Sequence, residues 1–248
     1  MPSNPFFEDW TTPFAAPPFD RITTAHFRPA YDRALSEHAR EITAIAENPA
    51  APDFANTIVA LEESGRLLSN VDAVFSNLTA SHTNDALQKV ERDMAPILAK
   101  HWNEIYLNAK LFQRISALQN EQAAQKLDAQ SARVLERYHL DFVRAGANLD
   151  GAARDRYAAI SEELASLGTD FGQNVLADEQ AFVLPLQEAE LAGVPDFARE
   201  AAAQLARERQ LDAPYAVTTA RSSVEPLLQF ADNRDLREKI FKAWTARG

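Results

Sequence analysis

Apolar residues recur along this chain at alternating steps of three and four, the period that places them on one face of an α-helix. One such stripe consists of Ile58, Leu61, Gly65, Leu68, Val71, Phe75 and Leu78. A second stripe consists of Tyr157, Ile160, Leu164, Leu167, Phe171 and Val175. The first stripe predicts a single amphipathic helix that buries this face, and the second predicts an amphipathic helix with its apolar residues on one face.

The composition also favours helices over strands. The 248 residues include only 7 glycines, whereas strong helix formers such as Ala, Leu, Glu, Arg and Gln are abundant. Strand propensity is confined to residues 181–186 and 215–220, which have the length and side chains of a strand pair. We therefore predict a mainly α fold, an antiparallel or orthogonal helical bundle-like lobe with a small β-hairpin or strand pair.

Three regions are predicted along the chain. Residues 1–25 are rich in proline and aromatic residues, which predicts an extended arm lying across a hydrophobic surface. Residues 26–178 form a helical domain, and residues 179–248 form a small α+β segment. Thr23 or Thr24 is expected to cap the first helix and Asn56 the second. Further helices are predicted at about 85–107, 111–118 and 121–145.

Charge and composition exclude several classes of function. The formal net charge is −11, so the chain would repel a phosphate backbone, and nucleic acid is not expected as a partner. The absence of cysteine excludes disulfides, thiolate ligands and a cysteine nucleophile. No signal-peptide pattern opens the chain, and no apolar run reaches the roughly 20 residues that span a bilayer. We predict a cytoplasmic protein without membrane contact.

Two histidines have the spacing of half a metal site. His38 is followed three residues later by Glu41, and His101 by Glu104, which places each pair on one helical face. Zinc sites take three or four protein ligands, and no sequence spacing joins these pairs into such a set. A helical bundle whose metal is held by both histidines and nearby glutamates stays an alternative. The other histidines, at helix ends or flanks, are His26, His82 and His139.

Three adjacent carboxylate pairs invite an acid–base interpretation: Glu62/Glu63, Glu162/Glu163 and Asp178/Glu179. Neighbouring residues on a helix point about 100° apart, so the members of a pair do not converge on one substrate atom. We interpret them as solvated helical faces. Motifs of serine nucleophiles, Walker loops and dinucleotide loops are absent. The sequence therefore assigns no catalytic or metal-binding residue, and it does not identify substrate-binding residues.

The order of segments along the chain carries a resemblance. The first segments are NPFF, PPFDRITTAHFRPAYDRAL, NPAAPDFANTIVALEESGRLLSNV and NDALQKVERDMAPILAKHWNEIYLNAKLFQRI. The later ones are FVRAGANLDGAARDRYAAISEELASLGTDFGQNVLAD, ELAGVP and NRDLREKIFKAWTARG. Together they resemble the amino-terminal region of the thimet oligopeptidase family of zinc metallopeptidases. Within that family they look closest to the bacterial peptidyl-dipeptidases (dipeptidyl carboxypeptidases), with oligopeptidase A next.

The resemblance implies a mostly helical, two-lobed zinc peptidase in which this region forms one wall of a deep channel for short unstructured peptides. The family's zinc ligands and glutamate base lie on an H-E-x-x-H helix with a further glutamate downstream, and no position of this chain matches them. The resemblance thus implies that residues 179–248 lead into a missing catalytic domain, that zinc belongs to the full-length parent, and that this fragment is inactive alone.

The sequence leaves alternatives for the specificity of the parent and for the role of this chain. The parent could remove carboxy-terminal dipeptides or cut peptides internally, and the resemblance only favours the former. Alternatively, the chain is a stand-alone helical interaction module that keeps the fold without peptidase activity. A fragment separated from its partner lobe should also expose an apolar face.

Overall fold

The computed structural model describes residues 4–121 and 126–248. The chain divides into two compact units, Met1–Leu167 and Gly168–Gly248. The domain limits expected from the sequence, after residues 25 and 178, stay a prediction. Within the described residues, no helix combines the length and the apolar character needed to cross a membrane.

The first unit is built from helices. They are α1 (Thr24–Ala46), α2 (Ala60–Glu63), α3 (Arg66–Ser81), α4 (Asp85–Tyr106), α5 (Ala109–Asn120), α6 (Ala129–Arg144) and the start of α7 (Gly151–Ala181). A π-helical turn at Phe54–Val59 leads directly into α2. The helix predicted over 121–145 begins at Ala129, and the part of that prediction at 122–125 lies outside the described residues.

The second unit combines the end of α7 with short helices and strands. Its elements are β1 (Leu184–Leu186), α8 (Asp196–Glu208), β2 (Tyr215–Val217), α9 (Arg221–Phe230) and α10 (Arg234–Thr245). The two strands pair antiparallel, with Leu184 opposite Val217 and Leu186 opposite Tyr215. The predicted mainly α fold with one small strand pair is confirmed.

Local hydrogen bonds fix where the first helices begin. Thr23 precedes α1 as predicted, and its backbone N–H donates to His26 Nδ1 at 3.0 Å. The predicted cap at Asn56 was wrong, because Asp53 occupies that position. Asn56 lies three residues inside the turn, where it exchanges hydrogen bonds with Asp53 in a reciprocal capping box.

Two hydrophobic cores lie in the first unit. In the first, the arm residue Phe6 packs against Phe27 with ring centroids 5.4 Å apart, and Phe27 packs against Phe75 at 4.9 Å. The buried Tyr31 in the same core donates its hydroxyl to Asp72 at 2.8 Å. The second core joins the end of α1 to α5 and α6; its fully buried members include Ile58, Leu111, Ile115 and Leu135.

The predicted single stripe from Ile58 to Leu78 was wrong. Gly65 has a φ of +68°, a left-handed conformation that favours glycine, and it separates α2 from α3. Ile58 and Leu61 lie in the second core, whereas Leu68 lies in the first. Glycine ends one helix here and redirects the chain, so residues that share a period do not share a face.

The second predicted stripe forms a helix, but that helix has no buried residue. Its large apolar side chains are exposed: Ile160 by 37%, Leu164 by 62%, Leu167 by 56% and Phe171 by 57%. Among the described residues, this apolar face is therefore not buried.

A buried arginine holds the loop before α2. Arg114 of α5 is 8% exposed and donates to the carbonyls of Asn48 at 2.9 Å and Ala50 at 3.0 Å. It also donates to Asn56 Oδ1 at 2.7 Å. These bonds tie the irregular segment 48–57 to α5, so the guanidinium replaces the backbone pairing that the loop lacks.

Replacing Arg114 with Met should lower the free energy of unfolding by about 2 kcal/mol, because the loop loses several charge-assisted hydrogen bonds while the aliphatic stem is kept. Urea unfolding followed by circular dichroism measures the change. Arg133→Met is the matched control: this arginine is exposed, and its loss should change the free energy by less than about 0.5 kcal/mol. Equal effects of the two substitutions would contradict this role.

Candidate functional site

The two predicted half-sites meet in the folded chain. His38 of α1 and His101 of α4 lie 63 residues apart, yet His101 Nε2 is 3.0 Å from His38 Nδ1. Both side chains are buried, with 5% and 6% of their surface exposed. The sequence left this encounter open, because the spacing of two helices is a property of tertiary packing.

The hydrogen bonds of neighbouring groups indicate which ring nitrogens of His38 and His101 carry a proton. Ser64 Oγ donates to the Leu61 carbonyl at 2.7 Å and lies 3.3 Å from His38 Nε2. The serine oxygen is then free to accept from His38 Nε2–H, which leaves His38 Nδ1 as the acceptor for His101 Nε2–H. One chain of hydrogen bonds therefore runs from His101 through His38 to Ser64, with both imidazoles neutral.

Burial favours the same neutral state. It lowers the pKa of both histidines, because a charged imidazole would lose hydration. His101 lowers the pKa of His38 further, and Glu41 opposes this shift. Glu104 likewise opposes the lowering of the pKa of His101.

The glutamate of the first predicted half-site has a backbone partner. Glu41 Oε2 accepts the backbone N–H of Gly65 at 2.7 Å, so it stabilises the break between α2 and α3. No group of three His, Asp or Glu suited to a metal occurs among the described residues. In addition, the nitrogens that face each other are engaged in a hydrogen bond. The donor set at this pair therefore does not fit zinc, which needs three or four protein ligands.

A cavity of about 220 Å³ opens beside the pair. Its lining includes His38, Ser64 and Gly65 together with the aromatic side chains of Trp102, Tyr106, Tyr138 and Phe142. A wider opening of about 350 Å³ shares Tyr106 and Tyr138 and is rimmed by Glu62, Arg133, Arg137 and Asp141. Aromatic walls with a charged rim suit binding of an apolar side chain.

The predicted carboxylate pairs separate in the structure. Burial raises the pKa of the Tyr138 phenol, and the hydrogen bond that this phenol donates to Glu62 raises it further. Glu163 is exposed on α7. Asp178 accepts the Gly248 N–H at 2.9 Å, and Glu179 forms an ion pair with Arg247. Asp178 and Glu179 therefore have different partners.

The remaining histidines also have local roles: His26 caps α1 through Thr23, His82 ends α3, and His139 stacks on Phe112 at 5.6 Å. Sequence reasoning missed Ser64, Trp102 and Tyr138. The available signal was the run HWNEIY, which places Trp102 and Tyr106 one turn apart on α4.

Comparison with known proteins identifies relatives, although no family model matches the chain. The chain is 41% identical to dipeptidyl carboxypeptidase of Escherichia coli over 244 residues, which is 98% of this chain and 36% of that protein. It is 39% identical to the Salmonella typhimurium protein of the same name over 99% of this chain and 36% of that protein. With oligopeptidase A of E. coli it shares 26% identity over 95% of this chain and 35% of that protein.

These relatives confirm the resemblance given by the sequence. Both named groups are peptidases, and the match runs through almost the whole of this chain. The chain spans about a third of the length of the curated relatives that it matches.

Substituting Gly65 with Ala should lower the free energy of unfolding. An alanine Cβ would lie 2.9–3.0 Å from the His38 ring and would be strained at this positive φ, which together should cost about 2 kcal/mol of the free energy of unfolding. Gly168→Ala is the control, because nothing lies within 4 Å of its added Cβ and alanine favours a helix. Urea unfolding should show opposite signs for the two variants.

The histidine pair predicts how stability depends on pH. The unfolded chain binds protons near the ordinary histidine pKa of about 6.5, whereas burial keeps both folded pKa values lower. Between these values the unfolded state holds more protons, so acid favours unfolding. The urea midpoint should be constant above about pH 7 and should decrease as the pH falls through 6.5.

The double variant His38→Gln/His101→Gln should show a shallower decrease of the urea midpoint between pH 7.5 and 5. His82→Gln removes an exposed histidine and should keep the wild-type slope. If the double variant kept the wild-type slope as well, the pair would not be the origin of the acid sensitivity.

Proposed function

We propose that this chain, similar over almost its whole length to part of the dipeptidyl carboxypeptidases, is an amino-terminal, non-catalytic lobe of a zinc-dependent peptidyl-dipeptidase or oligopeptidase. The observation that carries the proposal is the 41% identity over 98% of this chain, which covers only 36% of the E. coli relative. The remaining length of such a protein would hold the zinc and the catalytic groups.

The chemistry of the described residues supports a non-catalytic role. The buried imidazoles of His38 and His101 are hydrogen-bonded to each other, and Glu179 is engaged in an ion pair with Arg247. A peptidase of this kind needs a metal-activated water or a nucleophile beside a base. In our proposal the chain shapes the path to such a centre and does not form it.

As a channel wall, the lobe would select substrates by exclusion. A folded protein cannot enter a narrow cleft, whereas a short unstructured peptide can extend along it to a buried centre. Closure of two lobes would also remove water from the reacting groups. The aromatic-walled cavity beside His38 is a candidate contact for an apolar peptide side chain.

The relatives favour one specificity within this proposal. Identity is 41% to dipeptidyl carboxypeptidase and 26% to oligopeptidase A of the same organism. We therefore propose that the full-length protein releases carboxy-terminal dipeptides, with internal cleavage as the alternative. The cytoplasmic location inferred from the sequence stays part of the proposal.

A chimera tests the function. This chain would replace the matching 244 residues of E. coli dipeptidyl carboxypeptidase, and release of dipeptides from an unstructured peptide would be measured by mass spectrometry. The chimera should cleave within about tenfold of the E. coli enzyme, which is about 1.4 kcal/mol in transition-state free energy. A chelator should abolish this cleavage.

Two controls define the outcome. The isolated chain and the E. coli protein lacking the matched region should both release no dipeptide. Chelator-sensitive cleavage by the isolated chain would refute a non-catalytic lobe. A folded chimera without activity would favour the stand-alone interaction module.

A further inference from the structure

The exposed apolar residues of α7 form one continuous stripe. Ile160, Leu164, Leu167 and Phe171, here called the α7 stripe, follow one another at steps of four, three and four. Their exposed fractions lie between 37% and 62%, and the 31-residue helix that carries them has no buried residue. Single exposed apolar residues are common on protein surfaces, whereas a row of four large ones marks an interaction surface.

A helix in a globular protein gains most of its stability by packing an amphipathic face. In the second core, for example, α5 buries Leu111, Ile115 and Leu118 almost completely. Among the described residues α7 has no equivalent packing. No described residue buries the stripe, so the stabilisation that packing would give has to come from a covering element.

Two glycines beside the stripe would allow the covering element to approach α7 closely. Gly168 and Gly172 lie one turn apart on α7, and no atom lies within 4 Å of where a Cβ would stand at either. The missing side chains leave room for a close approach of another backbone, as in helix pairs that pack through small residues.

The acidic residues beside the stripe favour a partner with basic side chains. Glu162, Glu163 and Asp170 lie between residues 160 and 171, and no lysine or arginine occurs from Tyr157 to Ala181. A second copy of this chain would place like charges opposite each other, which disfavours self-association. A helix with an apolar stripe and lysine or arginine beside it complements this surface.

We propose that the α7 stripe is the docking surface for a helix, apolar on one face and basic at its edges, in the part of the full-length peptidase outside the matched region. The curated relatives supply the length for it, because this chain covers only 35–36% of the first three. This inference rests on the proposed function, since it takes the covering helix from the same polypeptide.

Hydrogen–deuterium exchange of residues 160–171 tests the proposal. In the chimera with E. coli dipeptidyl carboxypeptidase, exchange in this segment should be at least about tenfold slower than in the isolated chain, because the covering helix protects it. A mixture of the isolated chain with the complementary part of the E. coli enzyme repeats the measurement without a covalent junction.

Matched variants locate the contact. Leu164→Gln/Leu167→Gln should remove the added protection in the chimera and leave the helix content and urea midpoint of the isolated chain unchanged. Phe197→Gln is the control, because Phe197 of α8 is exposed to a similar extent, 63%, but lies on a different helix. It should leave the protection intact.

Equal exchange in the isolated chain and in a folded chimera would overturn the proposal. So would an isolated chain that is dimeric by sedimentation velocity and becomes monomeric in the Leu164→Gln/Leu167→Gln variant, since the occupant would then be a second copy. Exchange protection is independent of cleavage. Protection without dipeptide release would support the docking surface and contradict the proposed function.

Discussion

The first unit depends on a polar junction where three segments pass from one hydrophobic core to the other. Along α1, Ala34 belongs to the first core and Ile42 to the second, with His38 between them. Along α4, His101 lies between Met94 of the first core and Ile105 of the second. Gly65, which separates α2 from α3, likewise lies between Leu61 of the second core and Leu68 of the first. A close approach of these segments is possible because the glycine has no side chain and the His38 ring occupies the space.

Hydrogen bonding explains why this junction tolerates burial. Imidazole, serine hydroxyl and glycine N–H would each be costly to bury without a partner. Here His101 donates to His38, His38 donates to Ser64, and Glu41 accepts from Gly65. Residues whose spacing resembles half a metal site thus hold two cores together. Their depressed pKa values reflect this structural role, because a protonated pair would place two positive charges in one buried space.

The buried polar groups of the junction and the exposed apolar side chains of α7 differ in whether they have partners within the described residues. The junction contains polar groups that are paired, whereas α7 presents apolar side chains that are exposed among residues 4–121 and 126–248. That contrast fits our proposal of a lobe within a larger peptidase, in which binding, exclusion of folded proteins and metal chemistry are divided among parts of one polypeptide. A lobe of this kind needs a stably packed core and an exposed surface that can pack against the remaining protein.

Local sequence patterns were enough to predict most of the helices, the strand pair and the family resemblance. Helical period, the Thr23 cap and the β-rich runs at 181–186 and 215–220 are local properties, so they could be read without knowledge of packing. Segment order along the chain was enough for the resemblance, since it needs no coordinates.

Which faces are buried and which side chains meet depends on tertiary packing. Periodicity treated Gly65 as one more member of a stripe, because it does not encode the positive φ that splits the helix. It also placed Leu164 and Leu167 on an apolar face without showing that this face is exposed among the described residues. His38 and His101 had the same local pattern as many unpaired helical histidines. Their contact depends on how α1 packs against α4, and that arises from the sum of many distant contacts rather than from any short stretch of sequence.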